Sequence, residues 1–126
     1  MAIVRTACTM TLDAGDLEEV KSIFQTFIKD VQEKDHGVLT YDYYIDEDPL
    51  LIHVFETYES SQAHLDHFAN IDQQAVGRLL ELVTLSTLHY YGTPSAEEEA
   101  LLANFGDLQY HRPLAGISET KTTARA

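Results

Sequence analysis

The stretch from Gly37 to Phe68, GVLTYDYYIDEDPLLIHVFETYESSQAHLDHF, most constrains what this chain can fold into. Two runs rich in β-branched and aromatic residues, Val38–Ile45 and Leu50–Tyr58, flank a polar break at Asp46-Glu47-Asp48-Pro49, the pattern of a β-hairpin with a short loop. Ser60 or Ser61 can then cap a helix carrying Ala63, His64, His67, Phe68 and Ile71. At 100° per residue these five side chains fall within an arc of roughly 140°, with Asp66 and Asn70 pointing away. Two histidines therefore sit on the face that must look into the protein. An imidazole placed there costs desolvation unless it finds a partner.

The flanking segments read as follows. Ile3 to Leu12 alternates as a strand, with Val4, Thr6, Cys8, Met10 and Leu12 on one face. Asp13-Ala14-Gly15-Asp16 breaks it, and Asp16 with Glu19 supplies a D-x-x-E helix start resembling a capping box. Leu17, Val20, Phe24, Phe27, Ile28 and Val31 follow at helical spacing, with charged residues between them. Beyond the histidine-bearing helix, Asp72 can cap a second short helix. Val83–Tyr91 makes a fourth strand, and Ser95-x-x-Glu98 starts a last helix whose Glu97, Glu98 and Glu99 suit the positive end of the dipole. Gly106 stops that helix, and Leu108 to Leu114 can add a short edge strand. The order is β-α-β-β-α-β with a C-terminal helix and strand, an α+β ferredoxin-like plan with an antiparallel sheet. Residues 1–117 are expected to form one domain and residues 118–126 a loose tail. The strands of the hairpin have no reliably polar face, so both faces of the sheet should be covered: one by helices, the other, most economically, by a second copy.

Composition narrows the function. The net charge of −13, from 21 carboxylates against 8 Lys and Arg, opposes binding to phosphate backbones, and no basic stripe offsets it. No apolar run approaches the ~20 residues needed to span a bilayer, and no signal-like segment opens the sequence. The lone Cys8 cannot pair internally, so a reducing, cytoplasmic setting is expected. The acidic clusters Asp46–Asp48 and Glu97–Glu99 read as solvated surface, and the first lacks the Gly turn and distal Glu of a calcium loop. His64-x-x-His67 with His53 or Glu56 would be a weak metal constellation, without H-E-x-x-H or Cys ligands, so no metal site is expected. Nucleotide-binding glycine loops and G-x-S-x-G are missing from the sequence.

Gly37-Val38-Leu39, Tyr41-Asp42, then Glu56-Thr57-Tyr58-Glu59-Ser60, Ala63 and His67 resemble the pattern of the antibiotic-biosynthesis monooxygenase family, approximately G-x-L-x-Y, a hairpin, and E-x-aromatic-x-S-x-x-A-x-x-x-H. The spacing from Glu56 to His67 fits without a gap. The aromatic position is often Trp in that family and is Tyr58 here, in a chain that has no Trp, which disfavours haem degradation as found on similar barrels. The resemblance implies two copies pairing their sheets into a dimeric α+β barrel. It also implies a cofactor-independent monooxygenase acting with O₂ on a phenolic, quinol or anthrone-like small aromatic substrate.

In that setting His67 is the expected base, because imidazole, with a pKa near ~6.5, can take and return a proton at neutral pH. Tyr58 would stabilise the anion. Tyr41, Tyr43, His53, Glu56, His64 and Phe68 are candidates to line the substrate pocket, although strand alternation puts His53 on the face opposite Glu56 and Tyr58. Each of these residues also has an ordinary reading as core or strand packing. Cys8 reads as a buried structural thiol. Two other functions fit the same residues: a dimeric barrel that binds an apolar molecule without altering it, and a non-oxidative isomerase or cyclase.

Overall fold

The computed structural model describes residues 2–118; the expected tail at residues 118–126 therefore lies, apart from Ser118, outside the described residues. Strand β1 (Val4–Leu12) leads through a short 3-10 turn into helix α1 (Leu17–Lys34). The hairpin β2 (Val38–Glu47) and β3 (Leu50–Tyr58) follows, then α2 (Ser61–Asn70), α3 (Gln73–Leu82), β4 (Val83–Tyr91), α4 (Ala96–Leu102) and β5 (Gln109–His111). The sheet runs β2-β3-β1-β4-β5. All neighbours are antiparallel except β4 and β5, which the α4 crossover makes parallel. This is the ferredoxin-like plan expected from the sequence, with a helix and strand added.

Several boundaries differ from the sequence reading. Asp46 and Glu47 stay in the ladder opposite Leu51 and Leu50, which leaves Asp48-Pro49 as the whole turn. The Asp46 carboxylate is held there by His53 at 2.8 Å. Leu39 is the extra residue of a bulge that breaks the alternation of this strand, and it is 54% exposed. Asp16 makes no side-chain cap on α1, because its own N–H closes the 3-10 turn onto the Asp13 carbonyl at 2.9 Å. Glu19 instead accepts from Arg78 at 2.6 and 2.9 Å, tying α1 to α3. β5 is shorter than Leu108 to Leu114; Pro113 has no N–H to give a ladder.

The other caps form as read. Ser60 accepts from the Ala63 N–H, Asp72 from the Ala75 N–H, and Ser95 with Glu98 makes a full capping box. Gly37 has a separate reason to be glycine: a Cβ there would lie 2.5 Å from the Ala63 Cβ. The start of β2 thus sits directly on the first turn of α2, and only the smallest residue allows it.

All helices named pack on one face of the sheet. Their buried side chains form two clusters. The larger joins α1 and α3 to the sheet through Val20, Phe24, Phe27, Leu79, Ile52 and Val54; the smaller joins α2 and α4 through Tyr58, Ala63, Tyr90 and Leu102. The opposite face carries Tyr44, Phe55 and Tyr91, each more than 40% exposed in the single chain. No helix among the described residues is long and apolar enough to cross a membrane.

Candidate active site

Between the two core clusters lies a cavity of about 270 Å³, walled by Met10, Phe24, Phe27, Leu79, Leu85 and Leu102 among others. Its polar lining comprises Glu56 on β3, His64 and His67 on α2, Tyr41 and Tyr43 on β2, Thr6 and Gln73. An apolar chamber with a few converging polar groups is what binding a compact organic molecule requires.

His67 is 3% exposed and faces inward because it stands on the same helical stripe as Ala63, His64 and Ile71. Its Nδ1 lies 2.8 Å from Asp35 Oδ2, and Asp35 Oδ1 accepts from Asn70 Nδ2 at 2.8 Å. A carboxylate only accepts, so the ring donates from Nδ1 and turns Nε2 toward Glu56, whose Oε1 is 3.9 Å away. Tyr58 donates its O–H to the same Glu56 oxygen. The Tyr41 and Tyr58 rings lie 5.2 and 5.6 Å from the imidazole. The result is a buried base with one nitrogen locked and the other open, a geometry suited to proton transfer at one defined atom.

The surrounding phenols and the nearby thiol are held protonated. Burial, reinforced by the Glu56 charge, lifts Tyr41 and Tyr58 far above the ordinary phenol range. Burial likewise raises Tyr43, although its hydrogen bond with Tyr41 pulls the other way. Both tyrosine hydroxyls nearest His67 therefore remain donors at any working pH. Cys8, on the cavity wall, is pushed up to about 12 by burial and by Glu56, so its thiol is not a nucleophile at neutral pH.

Most of the residues singled out in the sequence come together. Tyr41, Tyr43, Glu56, His64, His67 and Phe68 line the cavity, and Tyr58, fully buried, packs against both histidines. His53 does not join them. It lies on the other face of β3, bonded to Asp46, as strand alternation requires. Asn70, read as pointing away, in fact stands about 20° from the edge of that stripe at 100° per residue, and it donates to Asp35. Two carboxylates were missed. Asp35 ends α1, and nothing local marks it as a partner for a residue 32 positions on. Glu98, read with Glu97 and Glu99 as solvated, has no exposed surface. Among the described residues no group of three or more His, Cys, Asp or Glu could hold a metal ion.

The sequence model of the antibiotic biosynthesis monooxygenase family matches residues 3–78. A comparison with curated protein sequences gives no match. Among solved structures, MupZ from Pseudomonas fluorescens superposes with a TM-score of 0.75 at 19% identity, over 96% of this chain and 98% of that one. SnoaB, a cofactor-independent oxygenase from Streptomyces nogalater, gives 0.61 at 12% identity, over 76% of this chain and 97% of its own. At such identities the likeness concerns the fold. The family match stops within α3, so β4, α4 and β5 lie beyond it.

Proposed function

The chain belongs to the antibiotic biosynthesis monooxygenase family, and from that premise we propose that it is a cofactor-independent monooxygenase acting on a phenolic, quinol or anthrone-like substrate. The observation that carries this reading is the Asp35–His67 pair, which leaves one imidazole nitrogen open to an apolar chamber. His67 Nε2 takes the acidic proton of the bound molecule, and the Asp35 carboxylate steadies the ring that receives it. The substrate anion passes an electron to O₂ and recombines with the superoxide formed, making a carbon–oxygen bond and a peroxide anion. Protonation and loss of water from an R₂CH–O–OH species leave R₂C=O, so that R₂CH₂ and O₂ become R₂C=O and H₂O. The protein contributes placement, exclusion of water and hydroxyl donors rather than an electron carrier. That SnoaB, a protein of similar fold, is a cofactor-independent oxygenase supports this reading.

A homodimer belongs to the same proposal, supported by the uncovered aromatics on the outer sheet face. A second reading is a non-oxidative proton transfer or cyclisation. It draws on the same base together with Glu56, whose Oε1 lies 3.9 Å from His67 Nε2. Oxygen consumption over a panel of anthrones and quinols separates the two. The first reading expects uptake that His67→Ala abolishes while the dimer persists; product without oxygen uptake would favour the second. Tight retention of the probe with no product would make the barrel a sequestering protein instead.

A further inference from the structure

A second carboxylate–imidazole pair faces the same cavity. His64 stands one turn before His67 on α2 and is 1% exposed. Its Nδ1 lies 2.7 Å from Glu98 Oε2, which also accepts from the Tyr90 O–H at 2.8 Å; Glu98 Oε1 accepts the Ser95 N–H at 2.9 Å. Burial of Glu98 opposes its ionisation, but these donors outweigh that and hold the carboxyl down at about 2. Glu98 is thus ionised at neutral pH, and the His64 ring must carry its hydrogen on Nδ1. Any proton the ring gives or takes therefore passes through Nε2.

That atom has no hydrogen-bond partner among the described residues. No buried side-chain N or O among them lacks a partner either, so Nε2 reaches open space, and the open space His64 borders is the cavity. The Tyr58 ring lies between the two pairs, 4.6 Å from the His64 ring and 5.6 Å from that of His67. An imidazole needed only as a partner for Glu98 would gain nothing from a second nitrogen left without a partner beside a cavity.

We propose that His64 is a second proton-transfer residue of this cavity, with Glu98 of α4 as its positioning residue. This rests on the oxygenase reading above. His67 takes a proton from R₂CH₂; O₂ adds to the anion to give R₂CH–O–O⁻; His64 delivers a proton from Nε2 to the terminal oxygen. The R₂CH–O–OH formed loses hydroxide from the O–O bond and its remaining C–H proton, giving R₂C=O and water. One ring has then gained a proton and the other has lost one, and exchange of one proton with solvent at each resets the site.

The test uses the full chain and dithranol, an anthrone, as the probe. Deuterium wash-in at its methylene in D₂O under argon reads deprotonation; O₂ uptake reads the complete sequence. His67→Ala should lose both. His64→Gln should lower the ratio of O₂ uptake to wash-in by about 100-fold or more, the lower range for a single acid–base group; Glu98→Gln should lower it by a smaller factor, and Glu98→Asp should restore part of it. An unchanged ratio in both variants overturns the proposal. A wild-type protein that takes up no O₂ overturns the oxygenase reading instead. The second pair is then decided by ¹⁵N spectra of the histidine rings under argon: a His64 Nε2 signal that moves on adding dithranol supports it, and one that stays still overturns it.

Discussion

The two carboxylate–imidazole pairs are chemically alike and built differently. Asp35 closes the end of α1, its backbone already extended, and is steadied by Asn70 from the last turn of α2. Glu98 sits inside the first turn of α4, where the same carboxylate that holds His64 also completes a capping box and receives Tyr90. The first pair lies wholly within the stretch matched by the family model, whereas the second depends on a helix beyond it. Shared chemistry has thus been reached from a loop joint on one side and a helix start on the other. Removal of the first should mainly cost activity; removal of the second should also loosen an element.

The largest expected difference is catalytic. His67→Ala should lower O₂ uptake with an active anthrone or quinol by at least about 100-fold, the lower range for a general base, with the circular dichroism spectrum retained. Turnover close to wild type would take the Asp35–His67 pair out of the chemistry. Stability comes next. Truncating Glu98 to Ala strands a buried imidazole and a buried hydroxyl, which should cost roughly 3–5 kcal/mol. Asp35→Ala should cost about 1 kcal/mol less because no helix cap is lost with it. Urea denaturation of both variants checks the order, and a reversed order would mean that the loop joint is the stiffer anchor.

A smaller effect separates the pairs by pH. Glu98 titrates at about 2 in the fold against an ordinary 4.5, so its contribution is complete above about pH 4.5 and is lost as pH falls toward 2. Glu98→Gln should flatten that part of the curve of melting temperature against pH, and an equally steep acid limb would assign it to other carboxylates. The mildest effect on either pair should come from Phe55→Glu on the outer sheet face. It should convert the proposed dimer to monomer in light scattering while leaving the ring ¹⁵N signals of His64 and His67 in place. Shifts in either ring would show that the second copy reaches the site.

Local pattern carried most of the fold. The alternation of β1 and β3, the stripe of α1 and the caps at Ser60, Asp72 and Ser95 are written in residues two to four apart. The same periodicity turned His64 and His67 inward and His53 outward. What it could not supply were partners 32 and 34 positions distant, because the joining of α1 and α4 to α2 is decided by packing. Glu98 was hidden by its company: between Glu97 and Glu99, helix-dipole chemistry already accounted for it. The bulge at Leu39 escaped because a strand's alternation shifts without any change in composition.

The crossover through α4 carries a warning for anyone trimming or fusing this polypeptide. A boundary set just after β4 at Gly92 would look safe, since it spares every strand but the short outer one. Such a cut would discard the acid on which His64 and Tyr90 both lean. The shortened product should then be judged by its interior as well as its yield, for its missing piece is a wall of the room in which the work is done.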